Sequence, residues 1–468
     1  FYKPNKPSKP FYKPHKPSKL SSMKIIIAGA GAVGFHLAEL LVREDQEIVL
    51  IDTNEEALNH AATHLDVLTI RGDAASTDVL QKANVGKTKL FLAVTTSEKT
   101  NLLVAILAKQ MGAKKTIARV SNPEYLEASQ KEIFLKLGVD TLISPQILAA
   151  QEIERLLRRG SFTDVFEFEK GKISVVGFKA HLSCPLINKT MDEIDTLMPD
   201  FNFRAIAVLR GHSTIIPRGD TILRKGDHLY LSVKSKSLDE IMLLAGLEPK
   251  PIKKVMIIGG TAIALRAAQL IEDKYNLCVI LQDKERGKQF VESLHNTLVT
   301  IGDPSNIDVL KEEHLENVDA FLALTPNSET NIITSLIAEE LGVYKTIALV
   351  EDVNYTHISQ NIGVDTIINK KLIAANNIFR FVRKGKVEAI GSLHGVDAEM
   401  IEFVVHKRNR LVRHAIRDLH MPKQAVIAGV VRGEDGFIPD GDFKLEIDDK
   451  VIVLALPEAI YKVEEIFK

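Results

Sequence analysis

The sequence predicts an α/β protein built by tandem duplication: a parallel-sheet domain followed by a small α+β domain, twice over. Three observations predict it. Short apolar runs alternate with helix-length periodic stretches, the signature of a βαβ series. Lys24–Tyr125 aligns with Lys254–Tyr355 at a constant offset of 230, with 28 identities in 102 positions. A shorter repeat follows each copy, Ile216-Pro217-Arg218-Gly219-Asp220 pairing with Ile438-Pro439-Asp440-Gly441-Asp442. The chain therefore reads A-B-A′-B′.

In A, strands are expected at Lys24–Ala28, Glu47–Ile51, Val67–Arg71, Leu90–Val94 and Thr116–Val120. Helices are expected at Val33–Arg43, Glu55–His64, Ser76–Ala83 and Thr100–Met111. Strands alternating with helices imply a parallel sheet covered on both faces. The identities between A and A′ gather at strand ends and turns. They include Gly29/Gly259, Gly72-Asp73/Gly302-Asp303 and Thr100-Asn101/Thr330-Asn331. After a five-residue shift the match resumes with Gly138-Val139-Asp140-Thr141 against Gly363-Val364-Asp365-Thr366. B begins differently. Val165–Glu169 and Ile173–Phe178 resemble a hairpin, followed by a helix near Met191–Leu197 and three more strand-like runs. The expected boundaries are 23–145 for A, 146–248 for a linker helix and B, 252–376 for A′ and 377–468 for B′.

The 468 residues suggest roughly three domains. Composition is ordinary for a globular chain, with 45% apolar and 26% charged residues. The two cysteines, Cys184 and Cys278, are too few for a disulfide framework or a Cys-rich zinc site, and fit a reducing compartment. Residues 1–22 carry six lysines and no acid, which leaves the rest at −7 against a total of −1. A mildly acidic body argues against nucleic-acid binding. The most apolar long stretch, Ile25 to Val42, contains His36 and Glu39 and is too short and polar to span a bilayer.

Residues 1–20 are a Lys/Pro decapeptide written twice. Proline removes donors and favours extended conformations, so 1–22 is expected to be a disordered extension. The alternative is a basic arm touching acidic lipid or nucleic acid, but a lysine run is usually just solvated.

The sharpest motif is Gly29-Ala30-Gly31-Ala32-Val33-Gly34, placed after a buried-type strand and opening an amphipathic helix. Gly29 turns the chain, Gly31 lets the backbone approach a pyrophosphate, and Gly34 lets helix pack on strand. Unpaired N–H groups at the helix start attract phosphates. Asp52 ends the second strand, where a carboxylate can accept from a ribose 2′-OH and repel a 2′-phosphate, favouring NAD over NADP. Its competing role is a helix N-cap. These features make A a Rossmann-like nucleotide-binding domain.

Asp73, Thr95, Thr96 and Arg119 also fall at carboxyl ends of strands, where ligands bind in open parallel sheets. For Asp73 and the threonines, turn and cap chemistry competes. For Arg119 the choice is a solvated strand end or a bidentate diphosphate contact. In A′ the loop reads Gly259-Gly260-Thr261-Ala262-Ile263-Ala264, with Gln282 at the Asp52 position and Asp283 beside it. A′ is therefore expected to bind dinucleotide poorly or differently. His60 and His64 have the i, i+4 spacing of a zinc pair but no third ligand, so solvated surface is expected. Cys184 reads as a small apolar filler.

Together these features resemble the TrkA family, the cytoplasmic regulatory subunits of bacterial Trk potassium uptake systems. The resemblance covers Met23–Lys468. It implies that A and B are the two halves of a regulator-of-potassium-conductance unit. It further implies dinucleotide contacts at Gly29, Ala30, Gly31, Ala32, Val33, Gly34, Asp52, Thr95, Thr96 and Arg119, with Asp73 a weaker candidate. The ligands so implied are NAD(H) and, by family expectation, ATP or ADP. The implied partners are an integral-membrane Trk-type potassium transporter on the inner face of the membrane and further copies of the chain in a ring. No catalysis and no metal are expected. An NAD-dependent oxidoreductase is the alternative, which would need an acid/base residue facing the nicotinamide.

Overall fold

The computed structural model describes residues 23–467, apart from 43–45, 159–161, 163, 181–183, 198–201, 212, 235–239, 242–245, 247–249, 352–363, 365, 384–389, 393–395, 397 and 407–409. The Lys/Pro extension at 1–22 lies outside the described residues. The chain divides into two compact units, one holding A as far as Ile143 (121–123 excepted), the other running from Ser144 to the end.

The first unit contains β1 (Lys24–Ala28), α1 (Ala32–Val42), β2 (Glu47–Asp52), α2 (Glu55–His64), β3 (Leu68–Arg71), α3 (Thr77–Lys82), β4 (Leu90–Ala93), α4 (Glu98–Gln110), β5 (Lys115–Arg119), α5 (Ala128–Leu137) and β6 (Thr141–Ile143). The sheet is parallel, in the order β3-β2-β1-β4-β5-β6. That order reverses direction between β1 and β4, and a doubly wound sheet opens its ligand crevice at such a point. The apolar runs explain the layering. Ile25, Ile26 and Ile27 are fully buried, as are Phe91, Leu92 and Ala93, because both faces of the central strands are covered by helices. Helix α4 begins at Glu98 rather than Thr100 because the Ser97 side chain accepts from Thr100 N and caps it. The sequence reading placed no element over α5. Its apolar residues Ile133, Phe134, Leu135 and Leu137 run together instead of forming a stripe, and none of its side chains is buried.

The second unit opens with α6 (Pro145–Arg158). B follows, with β7 (Asp164–Phe168), β8 (Ile173–Lys179), α7 (Met191–Leu197), β9 (Phe203–Arg210), β10 (Ser213–Ile215) and β11 (His228–Lys234). A′ comprises β12 (Lys254–Ile258), α8 (Ala262–Ile271), β13 (Asn276–Leu281), α9 (Lys284–Ser293), β14 (Thr297–Ile301), α10 (Ile307–Glu312), β15 (Ala320–Ala323), α11 (Ser328–Glu340), β16 (Lys345–Leu349) and β17 (Thr366–Ile368). Then come α12 (Lys370–Arg383), β18 (Ile390–Ser392), β19 (Glu399–Val404), β20 (Ala425–Arg432), β21 (Asp435–Phe437), β22 (Lys450–Ala455) and α13 (Pro457–Phe467).

The A′ sheet repeats the order of A, as β14-β13-β12-β15-β16-β17. The B sheets are antiparallel and share one topology, β10-β9-β11-β8-β7 against β21-β20-β22-β19-β18. Three packings hold this unit together. Ala149, Ala150, Ile153, Leu156 and Leu157 of α6 bury themselves with Ile263, Ala267, Ala268 and Ile271 of α8. One face of the B sheet, with Ile173, Val175 and Tyr230, shares a core with Met400, Ala428 and Ile452 of B′. The opposite face of B covers Leu186 and Ile194. Each domain repeat also carries a bidentate ion pair, Arg210–Asp227 in B and Arg432–Asp449 in B′. The carboxylates are almost fully buried, and in each pair the bridging partner raises the arginine further above its ordinary value.

Candidate functional site

The carboxyl ends of β2, β1, β4 and β5 form one continuous rim, since these strands are neighbours in that order. β1 carries its buried run straight into Gly29, whose φ is +111°. A Cβ at Gly29 would lie 2.8 Å from Thr95 N, so both conformation and space demand glycine. A Cβ at Gly34 would fall 1.8 Å from Gly29 O, so α1 leaves the sheet in direct contact with the loop. Gly31 differs. A Cβ there would meet nothing within 4 Å, and the residue is exposed. Packing does not require it, and it leaves the start of α1 without a side-chain cap and open to solvent. Helix starts of this kind present N–H groups that have no intrahelical acceptor.

Asp52 is tied into the same loop. Its Oδ2 accepts from Ala30 N at 2.6 Å, and its Oδ1 accepts from Asn54 N at 2.9 Å. It is not the cap of α2. That role belongs to Asn54, whose side chain accepts from Glu56 N and Ala57 N. Arg71 stands beside Asp52 in the β2–β3 register and pairs with Glu55.

On the other side of β1, Thr95 is held by a residue the motif reading did not single out as functional. Asn101 is 1% exposed. Its Oδ1 accepts from Thr95 N at 2.8 Å and from Thr95 Oγ1 at 2.6 Å. Its Nδ2 donates to Thr95 O and Arg119 O. One amide thus joins the ends of β4 and β5 to the first turn of α4. Thr96 is exposed at the tip of this turn, and Arg119 is half-buried at the end of β5. The signal for Asn101 was present in the repeat, as the pair Thr100-Asn101/Thr330-Asn331. Asp73 lies past β3, and its Oδ1 accepts from Ala75 N at 2.9 Å. Its carboxylate closes its own turn.

A′ keeps this framework and fills its open positions. Gly259 has φ +108°, and Asn331 repeats every bond of Asn101, to Thr325 and to Leu349 O. Leu349 stands at the Arg119 position. Thr261 stands at the Gly31 position, donating Oγ1 to Leu324 O at 2.8 Å and capping α8 by accepting from Ala264 N. The gap-free alignment also needs a correction. Gly29 N donates to Ile51 O, and Gly259 N donates to Ile280 O. Gly72 N donates to Asp52 O, and Gly302 N donates to Leu281 O. The offset over this strand and helix is therefore 229. α8 is one residue shorter than α1, and β14 is one residue longer than β3, which accounts for the shift and its recovery. So Leu281, 1% exposed, occupies the Asp52 position, not Gln282. Asp283 caps α9 as Asn54 caps α2.

The His60 ring lies 4.3 Å from that of His64 and 4.8 Å from that of Phe35, tilted against both. Among the described residues no group of three His, Cys, Asp or Glu side chains is placed to hold a metal. Cys184 is buried in the B core, and burial pushes its thiol up. Burial and the nearby Glu313 carboxylate push the Cys278 thiol up to about 11, which keeps it protonated. Among the described residues no helix is long and apolar enough to cross a membrane.

Comparison with known proteins follows this division. Residues 25–145 and 255–370 match the TrkA-N domain, and residues 175–246 and 400–468 match the TrkA-C domain. The Trk system potassium uptake protein TrkA homolog of Archaeoglobus fulgidus is 34% identical over 447 residues, covering 95% of this chain and all of that one. The Trk system potassium uptake protein TrkA of Vibrio alginolyticus is 32% identical over 454 residues, covering 95% and 99%. Among solved structures, the GsuK RCK domain superposes with a TM-score of 0.58 at 16% identity, covering 97% of each chain. The GsuK channel bound to NAD superposes with a TM-score of 0.57 at 16% identity, covering 98% of this chain and 81% of that one. At that identity the likeness establishes the shared fold.

Proposed function

Because the chain belongs to the TrkA family, we propose that it is a regulatory subunit of a potassium uptake system whose A domain senses nucleotide. The observation that carries this reading is the contrast at one loop position. Gly31 leaves the start of α1 open beside Asp52, whereas Thr261 caps the equivalent helix beside Leu281. A is the binding module over 23–145, and A′ over 252–376 is its structural counterpart. NAD(H) is the ligand, with its pyrophosphate against Gly29, Ala30, Gly31, Ala32, Val33 and Gly34 and its adenosine ribose on Asp52. Thr95 and Thr96 face the ligand across the switch point, and Arg119 meets its phosphates. ATP or ADP competes for the same phosphate cradle. The neighbour solved with NAD supports a dinucleotide on this fold, and the names of the relatives support a Trk-type membrane transporter as partner.

The mechanism follows from linkage. A ligand shifts a conformational equilibrium only by its preference for one state, and a tenfold preference supplies about 1.4 kcal/mol per site. Several copies in a closed assembly on the inner face of the membrane multiply that bias. Replacing a dinucleotide by a triphosphate alters the charge at the start of α1. The test is potassium flux in vesicles carrying the transporter, with and without this protein, across NADH, NAD, ATP and ADP. Nucleotide-dependent flux that is blunted by Arg119→Ala is expected. Flux indifferent to the protein and to every nucleotide overturns the reading.

A further inference from the structure

Between B and B′ lies a cleft of about 280 Å³, remote in sequence from the glycine loop. Arg204 and Arg218 enter it from B, and Arg417 and His420 from B′. Each guanidinium is anchored at one end. Arg204 Nη2 donates to Pro439 O at 2.7 Å, and Arg218 Nη2 donates to Lys423 O at 2.8 Å. Arg417 pairs with Asp442. Two of the three arginines are therefore steadied by backbone carbonyls, which fix position without neutralising charge. Arg204 Nε is buried with no hydrogen-bond acceptor. His420 Nδ1 donates to Asp418 O, which leaves Nε2 as its remaining nitrogen. The acid in the lining is Asp440, whose Oδ1 accepts from Asp442 N.

The repeat shows that this charge is particular to one position. Asp192 N donates to Gly219 O in B, and Arg417 N donates to Gly441 O in B′, so Arg417 stands where B has Asp192. In the paired segments at 216–220 and 438–442, Arg218 stands where B′ has Asp440. Two positions that are acidic in one copy are arginine in the other, and both arginines line one cleft.

We propose that this cleft binds a compact phosphate-bearing anion with an apolar body, bridging B and B′. Guanidinium forks match oxyanions with two parallel bonds. Arg204 and Arg218 are held by carbonyls, while Arg417 is already matched by Asp442 and Asp440 is the carboxylate in the lining, which leaves the cleft net positive and suited to the oxyanions of a phosphate group. Ile416, Met421 and Ile427 supply an apolar wall for the rest of the molecule. The volume sits near the lower bound of small-molecule sites, about 300 Å³, so the ligand is small.

The test is calorimetry on the full chain carrying Gly31→Val, which obstructs the glycine loop and isolates the cleft. The probes are phenyl phosphate, inorganic phosphate and citrate. Phenyl phosphate is expected to bind more tightly than inorganic phosphate, and citrate more weakly than either. Arg218→Ala and Arg417→Ala, both at exposed side chains, are each expected to weaken phenyl phosphate by about tenfold, with an unchanged thermal transition. Arg218→Lys keeps the charge and loses the fork, so it should fall between. No saturable binding of either phosphate at millimolar concentration overturns the proposal. So does unchanged affinity in both alanine variants, or citrate binding as tightly as phenyl phosphate.

Discussion

Asp52 Oδ2 accepts the backbone N–H of Ala30 at 2.6 Å, so the carboxylate at the end of β2 and the glycine loop after β1 form one hydrogen-bonded unit. In the binding mode proposed above, a change at Asp52 would therefore be felt at both the ribose end and the phosphate end of a dinucleotide. Asp52→Ala is expected to weaken NADH binding by about 1–3 kcal/mol, from lost charge-assisted bonds. Calorimetry giving an unchanged affinity counts against the assignment.

Asn101 and Asn331 make the same bonds in A and A′ but differ in the strand-end residue they reach, Arg119 in A and Leu349 in A′. Asn101→Ala removes four hydrogen bonds from a buried site and should destabilise A by about 2–4 kcal/mol. Asn331→Ala should destabilise the second unit by a similar amount. Only the first should weaken NADH at temperatures where both variants are folded. Equal effects of the two on NADH affinity, measured beside their denaturant unfolding curves, would contradict the division of roles.

One NADH per chain is expected in a titration, because Thr261 caps α8 and Leu281 replaces the carboxylate. Thr261→Gly with Leu281→Asp undoes both differences, and a second equivalent should then bind. Two equivalents in the unaltered chain would refute the asymmetry.

Glu272 offers a test by pH. Burial alone would raise its carboxyl, but the N–H groups of Asn296 and His295 and the Thr297 hydroxyl outweigh this and hold it below its ordinary value of 4.5. A carboxylate depressed in the folded state contributes stability that is complete above its unfolded pKa. That contribution is lost as pH falls through the lower folded value. Glu272→Gln should therefore be destabilising at neutral pH, and its stability should fall less steeply than that of the unaltered chain below pH 4.5. Parallel acid-unfolding curves would show that Glu272 contributes nothing of this kind.

Much of this was legible in the residues, for identifiable reasons. β1 is a run of isoleucines followed by glycine, and α2 is a helix-length stretch between two strand-like runs, so both elements match their expected spans. The loop glycines were legible because two of the three are dictated by sterics alone. The register of A′ was not. The shortening of α8 by one residue is cancelled by the lengthening of β14 by one. The flanking identities therefore align as if nothing lay between, and Gln282 takes a place that belongs to Leu281. Asn101 was visible as a repeated residue, but its role is long-range, since it reaches the end of β5 at Arg119, 18 positions further along the chain. The α6–α8 contact was equally hidden, because amphipathic periodicity shows that a helix has an apolar face and not what covers it.

The shared core of the two B sheets has a consequence for counting. In a dimer of identical chains, every surface exists twice and every substitution is made twice. Here the two halves are covalently joined and encoded separately. A single substitution at position 417 therefore alters one face and leaves its counterpart at Asp192 alone. Fusion has broken the symmetry that duplication created. Any closed assembly of this chain would carry two parallel sheets for every open glycine loop. The open loops it offers would therefore number half its parallel sheets.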